Sequence, residues 1–557
     1  MRRPTLMGTR AMVATEHYLS AEAALRILHA GGNAFDAAVA ATLVEGVVNP
    51  HMHTFGGELS ALCYAAAERR VYAVNGNTVA PRAATIEWFR AHGHTLIPMA
   101  GVLPAGPCAL PHALLTILDR FGTRSFADVA TPALELAEGG FPLHAALRGP
   151  APAHLLGDFS IAGGADLFRK AWTSTAAVYL PDGRLPDVGD VIRNRDLGRT
   201  FRRLIAAEEH GAGHGRRHGL AAAVEAFYRG DIASEIAAHA AAYGGLLARE
   251  DLTQYQSRVE EPVTLEYRGY TVHKCGPWSQ GPVFLQQLAL LAGFDLTRLE
   301  PNGVDYIHTI AEASKLAFAD REQYYGDPEL VDVPLAALLD ERYAAARRAL
   351  IDPERASSAQ RPGDPRRGRA LLDDGEIFAA RDWGRGTVYV AVVDRERNMA
   401  SFTPSGAWIA TSPVIDGLGF PLGTRVQTFF LDPRHPNALI PGKRPRTTLT
   451  PTLVLRDGAP AMVLGTQGGD QQDQWTLQVF LNLVEFAIPG GLRVEGRIPE
   501  SIRDALAARG HAIILEDDWV AGDVLCIRVD PRTGVLHGGA DPRGEVSRRL
   551  PAYAIAW

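Results

Sequence analysis

Gly386-Thr387 and Gly468-Gly469 are the places in this 557-residue sequence where residue type and setting suggest chemistry. A threonine hydroxyl is a weak nucleophile unless a base lies beside it. If the bond before Thr387 were cut, its new α-amine would titrate at about pH 8, within reach of its own hydroxyl. One residue would then supply both nucleophile and base. Gly468-Gly469 falls between a strand and a helix, where exposed amides can hold a developing oxyanion and glycine lets a substrate approach closely. Read alone, Gly-Thr is also what a loop-to-strand boundary looks like, and Gly-Gly what a tight turn looks like.

The elements that must position these pairs are legible around them. Thr387–Asp394 is a β-favouring run with alternation of period two, followed by a charged turn at Arg395–Arg397 and a second strand, Met399–Thr403. Thr452–Leu455 and Ala461–Leu464 flank Arg456-Asp457-Gly458 as a hairpin, whose second strand leads into Gly468-Gly469 and a helix from Asp470. Before Thr387, residues 353–386 combine prolines, glycines and dense charge, which predicts an exposed, mobile connector. Residues 20–48 read as two helices. Asn33 caps the second with Asp36 three residues on, and Phe35, Val39, Leu43 and Val47 form its apolar stripe. Helical patterns also fill 111–140 and 281–350, with strands at Leu59–Tyr64 and within Val263–Val272. This mixture predicts a layered α+β protein.

Separated segments carry a further signal. They are Met12-Val-Ala-Thr15, Ala30-Gly-Gly-Asn-Ala-Phe-Asp-Ala-Ala-Val39, Asn49-Pro-His-Met-His-Thr-Phe-Gly-Gly57, Gly244-Gly-Leu-Leu247 with Asp251-Leu252, and Glu266-Tyr-Arg-Gly-Tyr270. Glu312-Ala-Ser-Lys-Leu-Ala-Phe-Ala-Asp-Arg321, Gly442-Lys-Arg-Pro445 and Gly465-Thr-Gln-Gly-Gly469 follow in the same order. Together they resemble the γ-glutamyltranspeptidase family, collinearly and over nearly the whole chain. The resemblance implies a four-layer αββα sandwich of the N-terminal-nucleophile hydrolases, made from a precursor that cuts itself before Thr387. Residues 1–386 would form a large subunit and 387–557 a small one, paired in one fold. Gly468 and Gly469 would be the oxyanion hole. Ser405 would contact the nucleophile's amine where the family has threonine, and Asp432 would bind a substrate amino group. A plain Asp-Pro turn reads equally well at Asp432.

The departures from the family pattern concern the substrate. The arginine that grips the γ-glutamyl carboxylate is replaced by Asn77, and a neutral amide cannot stand in for a bidentate guanidinium. The serine pair after Lys-Arg-Pro becomes Thr447-Thr448, the expected asparagine becomes Ala407, and the threonine after the nucleophile becomes Val388. A longer glycine loop shrinks to Phe55-Gly-Gly57. Arg425 is one candidate for a replacement acid-binding residue, against the plainer reading of a surface or structural arginine.

Other signals are declined. His210, His214 and His218 recur every four residues, but their glycine-rich surroundings read as a solvated loop rather than a metal site. His51 and His53 receive no catalytic role, and Trp278 reads equally as packing or as a substrate wall. Cys63, Cys108, Cys275 and Cys526 form no C-x-x-C pair and read as small buried apolar residues. A hydrophobic share of 46%, a charged share of 21% and a net charge of −7 fit a globular protein with no basic footprint for nucleic acid. The N-terminus lacks an apolar leader core, and no stretch is apolar enough to span a bilayer, so a soluble, cytoplasmic protein is expected.

The reading is therefore a cofactor-free, metal-free threonine hydrolase or acyltransferase acting on a small acid or amide. A homodimer is left open. The rivals are a genuine glutathione hydrolase or γ-glutamyl transferase, an amidohydrolase, acylase or C–C bond hydrolase of specialised metabolism, and an uncleaved binding protein.

Overall fold

The run after Thr387 alternates as its period of two requires. Val390 and Val392 enter a core shared with helices, whereas Tyr389, Ala391 and Val393 enter a separate core between two sheets. A slip of one residue would exchange the two sets, so the register is strongly specified. The computed structural model describes residues 6–149, 159–373, 376–379, 386–486, 500–510, 524–541 and 552–557.

In chain order the strands are β1 (Leu6–Gly8), β2 (Met12–Thr15), β3 (Glu58–Ala65), β4 (Arg70–Gly76), β5 (Phe141–Pro142), β6 (Val191–Ile192), β7 (Arg258–Glu260) and β8 (Val263–Tyr267). They continue with β9 (Tyr270–Lys274), β10 (Val390–Val393), β11 (Met399–Ser405), β12 (Thr452–Arg456), β13 (Ala459–Gly465), β14 (Leu525–Val529), β15 (Leu536–Ala540) and β16 (Tyr553–Ala556). Among the described residues, two seven-stranded sheets run β1-β15-β14-β13-β12-β9-β8 and β16-β2-β10-β11-β3-β4-β7, with β5 and β6 as a separate pair. Both large sheets draw strands from before and after Thr387. All the paired strands are antiparallel, and the 452–465 hairpin forms as expected with a bulge at Val454/Leu455.

Three cores define the layers. Met12, Leu62, Tyr389, Leu453, Val463 and Leu525 meet between the sheets. The outer face of the β10 sheet is covered by helices that include Ala34–Val48, Leu110–Phe121 and Phe126–Gly139. The outer face of the other sheet is covered by Gly281–Leu291, Val304–Tyr324 and Gln472–Val484. This is the expected αββα sandwich. The four cysteines are free and buried. No helix among the described residues is long and apolar enough to cross a membrane.

Three expectations need correction. The helix Ala34–Val48 begins on the Asn33/Asp36 capping box, but every one of its residues is buried rather than a single stripe. It lies between the sheet and other helices, so its small alanine faces are covered as well. The connector is not simply exposed. Asp320 accepts the Gly363 amide at 2.9 Å, Glu312 accepts Arg361 at 2.8 Å, and Tyr324 donates to the Gly363 carbonyl at 2.6 Å. Part of it is thus tied to the helix Val304–Tyr324, while the charges of Arg366, Arg367 and Arg369 stay exposed, and residues 374–375 and 380–385 lie outside the described residues. The His210–His218 segment is helical on both sides of a short 3-10 turn, Ala212–His214, rather than a loop. No group of three or more metal-binding side chains occurs among the described residues.

Candidate active site

Thr387 lies just before β10 and pairs with Ser405, the last residue of β11, in an isolated antiparallel bridge. Both alternate onto the inner faces of the sandwich, and both are buried. Thr387 Oγ1 donates to the Gly386 carbonyl at 2.7 Å and lies 3.0 Å from Ser405 Oγ. Ser405 Oγ also donates to that carbonyl at 2.7 Å, and the Trp408 indole Nε1–H reaches it at 3.0 Å. The carbonyl of the bond before Thr387 is therefore surrounded by donors.

Gly386 is held at φ +112°, and an added Cβ would lie 2.5 Å from Trp408 Nε1 and 3.0 Å from Phe159. Only glycine fits without strain. Trp408 reaches back over it because the chain reverses after β11. Gly406 and Ala407 have φ of +83° and +53°. A left-handed alanine costs about 1–2 kcal/mol. Thr54 secures it, with its hydroxyl donating to the Ala407 carbonyl at 2.8 Å and its amide donating to the Gly406 carbonyl at 3.2 Å. Asparagine, expected here from the resemblance, suits this conformation better than alanine.

Arg425 sits beneath this group. Its Nη2 donates to Ser405 Oγ at 3.1 Å, its Nε pairs with Glu58, and its guanidinium stacks over Trp408 at 5.2 Å. The pair is buried, so Arg425 is not at the surface, and its fork is turned to Ser405 and Glu58. Burial raises the Glu58 pKa, with Arg425 opposing that shift. A hydroxyl that accepts from a guanidinium is a better acid, so Arg425 directs the Ser405 proton toward Gly386 O.

The Gly468-Gly469 turn reaches the same end of the sandwich at the end of β13. Gly465 is packed so closely on the Tyr389 ring, two residues along from Thr387, that a Cβ there would lie 2.3 Å from it. Gly469–Gln471 is a 3-10 turn rather than the first turn of the expected helix, which starts at Gln472. Its leading amides have no intrahelical acceptor. Gln280 Nε2 donates to the Gly469 carbonyl at 3.3 Å, and the Gln280 amide donates to the Thr447 carbonyl at 3.0 Å. Thr447 and Thr448 are buried on this brace. Arg321 donates to Gln280 Oε1 at 2.8 Å and shares a buried network with Glu322 and Arg446.

Asn77 is buried, with its Nδ2 on the Pro445 carbonyl and its own carbonyl accepting from Tyr255 and Arg444. Arg444 is the guanidinium beside it, but it is engaged with the Asn77 and Gln256 carbonyls. Asp432 is partly exposed at an Asp-Pro turn. Its carboxylate accepts from Arg434 at 3.0 and 2.7 Å, and Arg434 also pairs with Glu376. Trp278 is fully buried and donates to Glu260 at 2.9 Å, which makes it a packing residue. His51 and His53 are buried, and burial lowers the pKa of both.

Trp408 and Glu58 were missed by sequence reasoning. Glu58 carried one legible signal, a carboxylate opening the apolar run Leu59–Tyr64, since a buried acid there requires a cationic partner.

With this geometry in place, the chain can be set beside known proteins. Residues 20–549 match the Gamma-glutamyltranspeptidase family. The chain is 31% identical over 569 residues to the glutathione hydrolase-like YwrD proenzyme of Bacillus subtilis (strain 168), covering 97% of this chain and 98% of that one. It superposes on the solved structure of LmbA2991HD with a TM-score of 0.88 at 39% identity, covering 99% of both chains. The cephalosporin acylase of Bacillus halodurans gives a TM-score of 0.85 at 31% identity, covering 100% of this chain and 97% of that one. The fold, the Thr387 site and these likenesses together make the chain a member of the γ-glutamyltranspeptidase family and an enzyme of the N-terminal-nucleophile hydrolase type.

Proposed function

We propose that the chain is a proenzyme that cuts itself between Gly386 and Thr387 and then cleaves small acyl amides through an ester on Thr387. The observation that carries this reading is the Thr387 hydroxyl, 2.7 Å from the Gly386 carbonyl and 3.0 Å from Ser405 Oγ. Cleavage creates fragments 1–386 and 387–557, which remain together because both sheets contain strands of each. The freed α-amine of Thr387 then takes the hydroxyl proton as Oγ attacks a substrate carbonyl, and Ser405 orients that amine. The Gly468 and Gly469 amides receive the oxyanion, a contribution of about 100- to 1,000-fold per donor in comparable sites. The acyl group passes to water or to an acceptor amine.

The acid side of the pocket is read as rebuilt. Asn77 has no charge to offer a carboxylate, and Arg444 beside it is occupied by backbone carbonyls. This favours an acylase-like substrate, a small acid or amide without the full γ-glutamyl head group, over glutathione. The test is intact mass under denaturing conditions for the purified protein and for Thr387→Ala. Two fragments meeting at Gly386/Thr387 in the first and a whole chain in the second support the reading. A wild-type chain that never matures overturns it. Parallel assays with γ-glutamyl-p-nitroanilide and simple acyl anilides then place the substrate. Preference for the γ-glutamyl compound would reverse the pocket argument.

A further inference from the structure

We infer that self-cleavage has an oxyanion site of its own, separate from Gly468-Gly469, in which the Trp408 indole N–H and the Ser405 hydroxyl stabilise the charge developing on the Gly386 oxygen. This rests on the proposal that the Gly386–Thr387 bond is cut by Thr387. The carbonyl of that bond is directed at Ser405 Oγ, 2.7 Å away, and Trp408 Nε1, 3.0 Å away. These are the distances at which donors stabilise an oxyanion. The indole is fixed from three sides. Its N–H is shared with the Met52 carbonyl at 2.8 Å, while its ring stacks on Phe159 at 5.1 Å and under the Arg425 guanidinium. The left-handed Gly406-Ala407 reversal sets that position. An oriented donor in a buried site needs no reorganisation when charge appears.

The proton inventory closes without an external base. Thr387 Oγ adds to the Gly386 carbonyl carbon and gives its proton to Ser405 Oγ. The proton that Ser405 held passes to the carbonyl oxygen, and Trp408 continues to donate to that oxygen. The neutral five-membered adduct collapses by breaking its C–N bond. The hydroxyl proton is delivered to the departing nitrogen, which becomes the Thr387 α-amine, and an ester links Gly386 to Thr387 Oγ. Water hydrolyses this ester, leaving the Gly386 carboxylate and restoring the Thr387 hydroxyl.

The test follows conversion of purified, uncut full-length chain by intact mass over time. Trp408→Phe keeps an aromatic ring against Phe159 and Arg425 but removes the N–H, and conversion is expected to slow about 100-fold. Replacing Trp408 with benzothienylalanine, which keeps the bicyclic shape and loses only the N–H donor, should slow it equally. Unfolding midpoints measured alongside should stay within a few degrees of wild type. Conversion of the benzothienylalanine protein at the wild-type rate would overturn the role of Trp408 while leaving Thr387 as nucleophile. A cut Thr387→Ala chain would instead remove the nucleophile assignment, and this inference with it.

Discussion

Arg321 holds Asp470 through two bonds, of 2.7 and 2.8 Å, and Asp470 is the residue that follows Gly468-Gly469. The proposed oxyanion turn is thereby anchored to the helix Val304–Tyr324, and Gln280 links it to the same guanidinium. Asp470→Asn keeps the shape and weakens the anchor. Turnover of an activated anilide is expected to fall roughly 10- to 100-fold through misplacement of the turn. Fragment formation should proceed at the wild-type rate, because the Gly386 carbonyl faces other donors. Steady-state kinetics normalised to cleaved mass check the first expectation, and mass spectrometry checks the second.

Gly386→Ala places a methyl group 2.5 Å from Trp408 Nε1 on a residue held at φ +112°. The backbone must shift to relieve both conflicts, which moves the carbonyl off its donors. Self-cleavage is expected to slow by about 100-fold or more. The readout is accumulation of the intact chain, and cleavage at the normal rate would contradict this geometry.

Arg425→Met leaves the buried Glu58 without a cation. Loss of one partner of a buried pair costs about 3–5 kcal/mol. Adding Glu58→Gln should restore much of that stability, because the orphaned charge is gone. It should not restore the cleavage rate, because Ser405 still lacks the guanidinium. Denaturant melts in a Thr387→Ala background separate the stability effect from scission, and cleavage is followed with Thr387 intact.

His17 and His53 are buried, His112 is partly buried, and all three are neutral. Burial is the main cause in each, with pKa values lowered to about 3, about 3 and about 4. In the unfolded chain they titrate at about 6.5. The unfolded state therefore binds protons that the folded state refuses, so stability is complete above about pH 6.5 and declines as pH falls below it. The slope approaches about 1.4 kcal/mol per pH unit for each histidine. His17 Nδ1 caps the helix Tyr18–His29 by accepting the Leu19 amide at 3.2 Å, a bond that protonation would break. His17→Asn can cap without titrating. Its unfolding midpoint should decline less than wild type between about pH 7 and about pH 5, measured by calorimetry. Equal slopes would contradict this assignment.

The local features read from sequence were those written in neighbouring residues. The alternation through Thr387–Val393, the Asn33/Asp36 cap and the 452–465 hairpin all follow from short-range pattern. The nucleophile pair was reached only because several segments resembled one family, since Gly-Thr by itself is a common boundary. The contacts that shape the site were out of reach. Glu58 and Arg425 meet across 367 positions. Trp408 depends on a backbone reversal at an alanine, a residue type that does not announce a left-handed turn. Asp432 was reached only through the resemblance, and its partner in the structure, Arg434, is two residues away. The connector's charge suggested solvent, which holds for Arg366 to Arg369, but Glu312 takes Arg361 and Asp320 takes the Gly363 amide on the helix.

The interleaving of strands from before and after Thr387 in both sheets reaches beyond catalysis. The uncut precursor can fold as a single molecule, at a rate independent of concentration. Once cut, neither piece carries a complete sheet, so reassembly requires two chains to meet while each exposes unpaired strand edges. Scission would turn a reversible folding problem into a practically one-way assembly. The working lifetime of the mature protein would then be set by how slowly it comes apart rather than by how favourably it refolds.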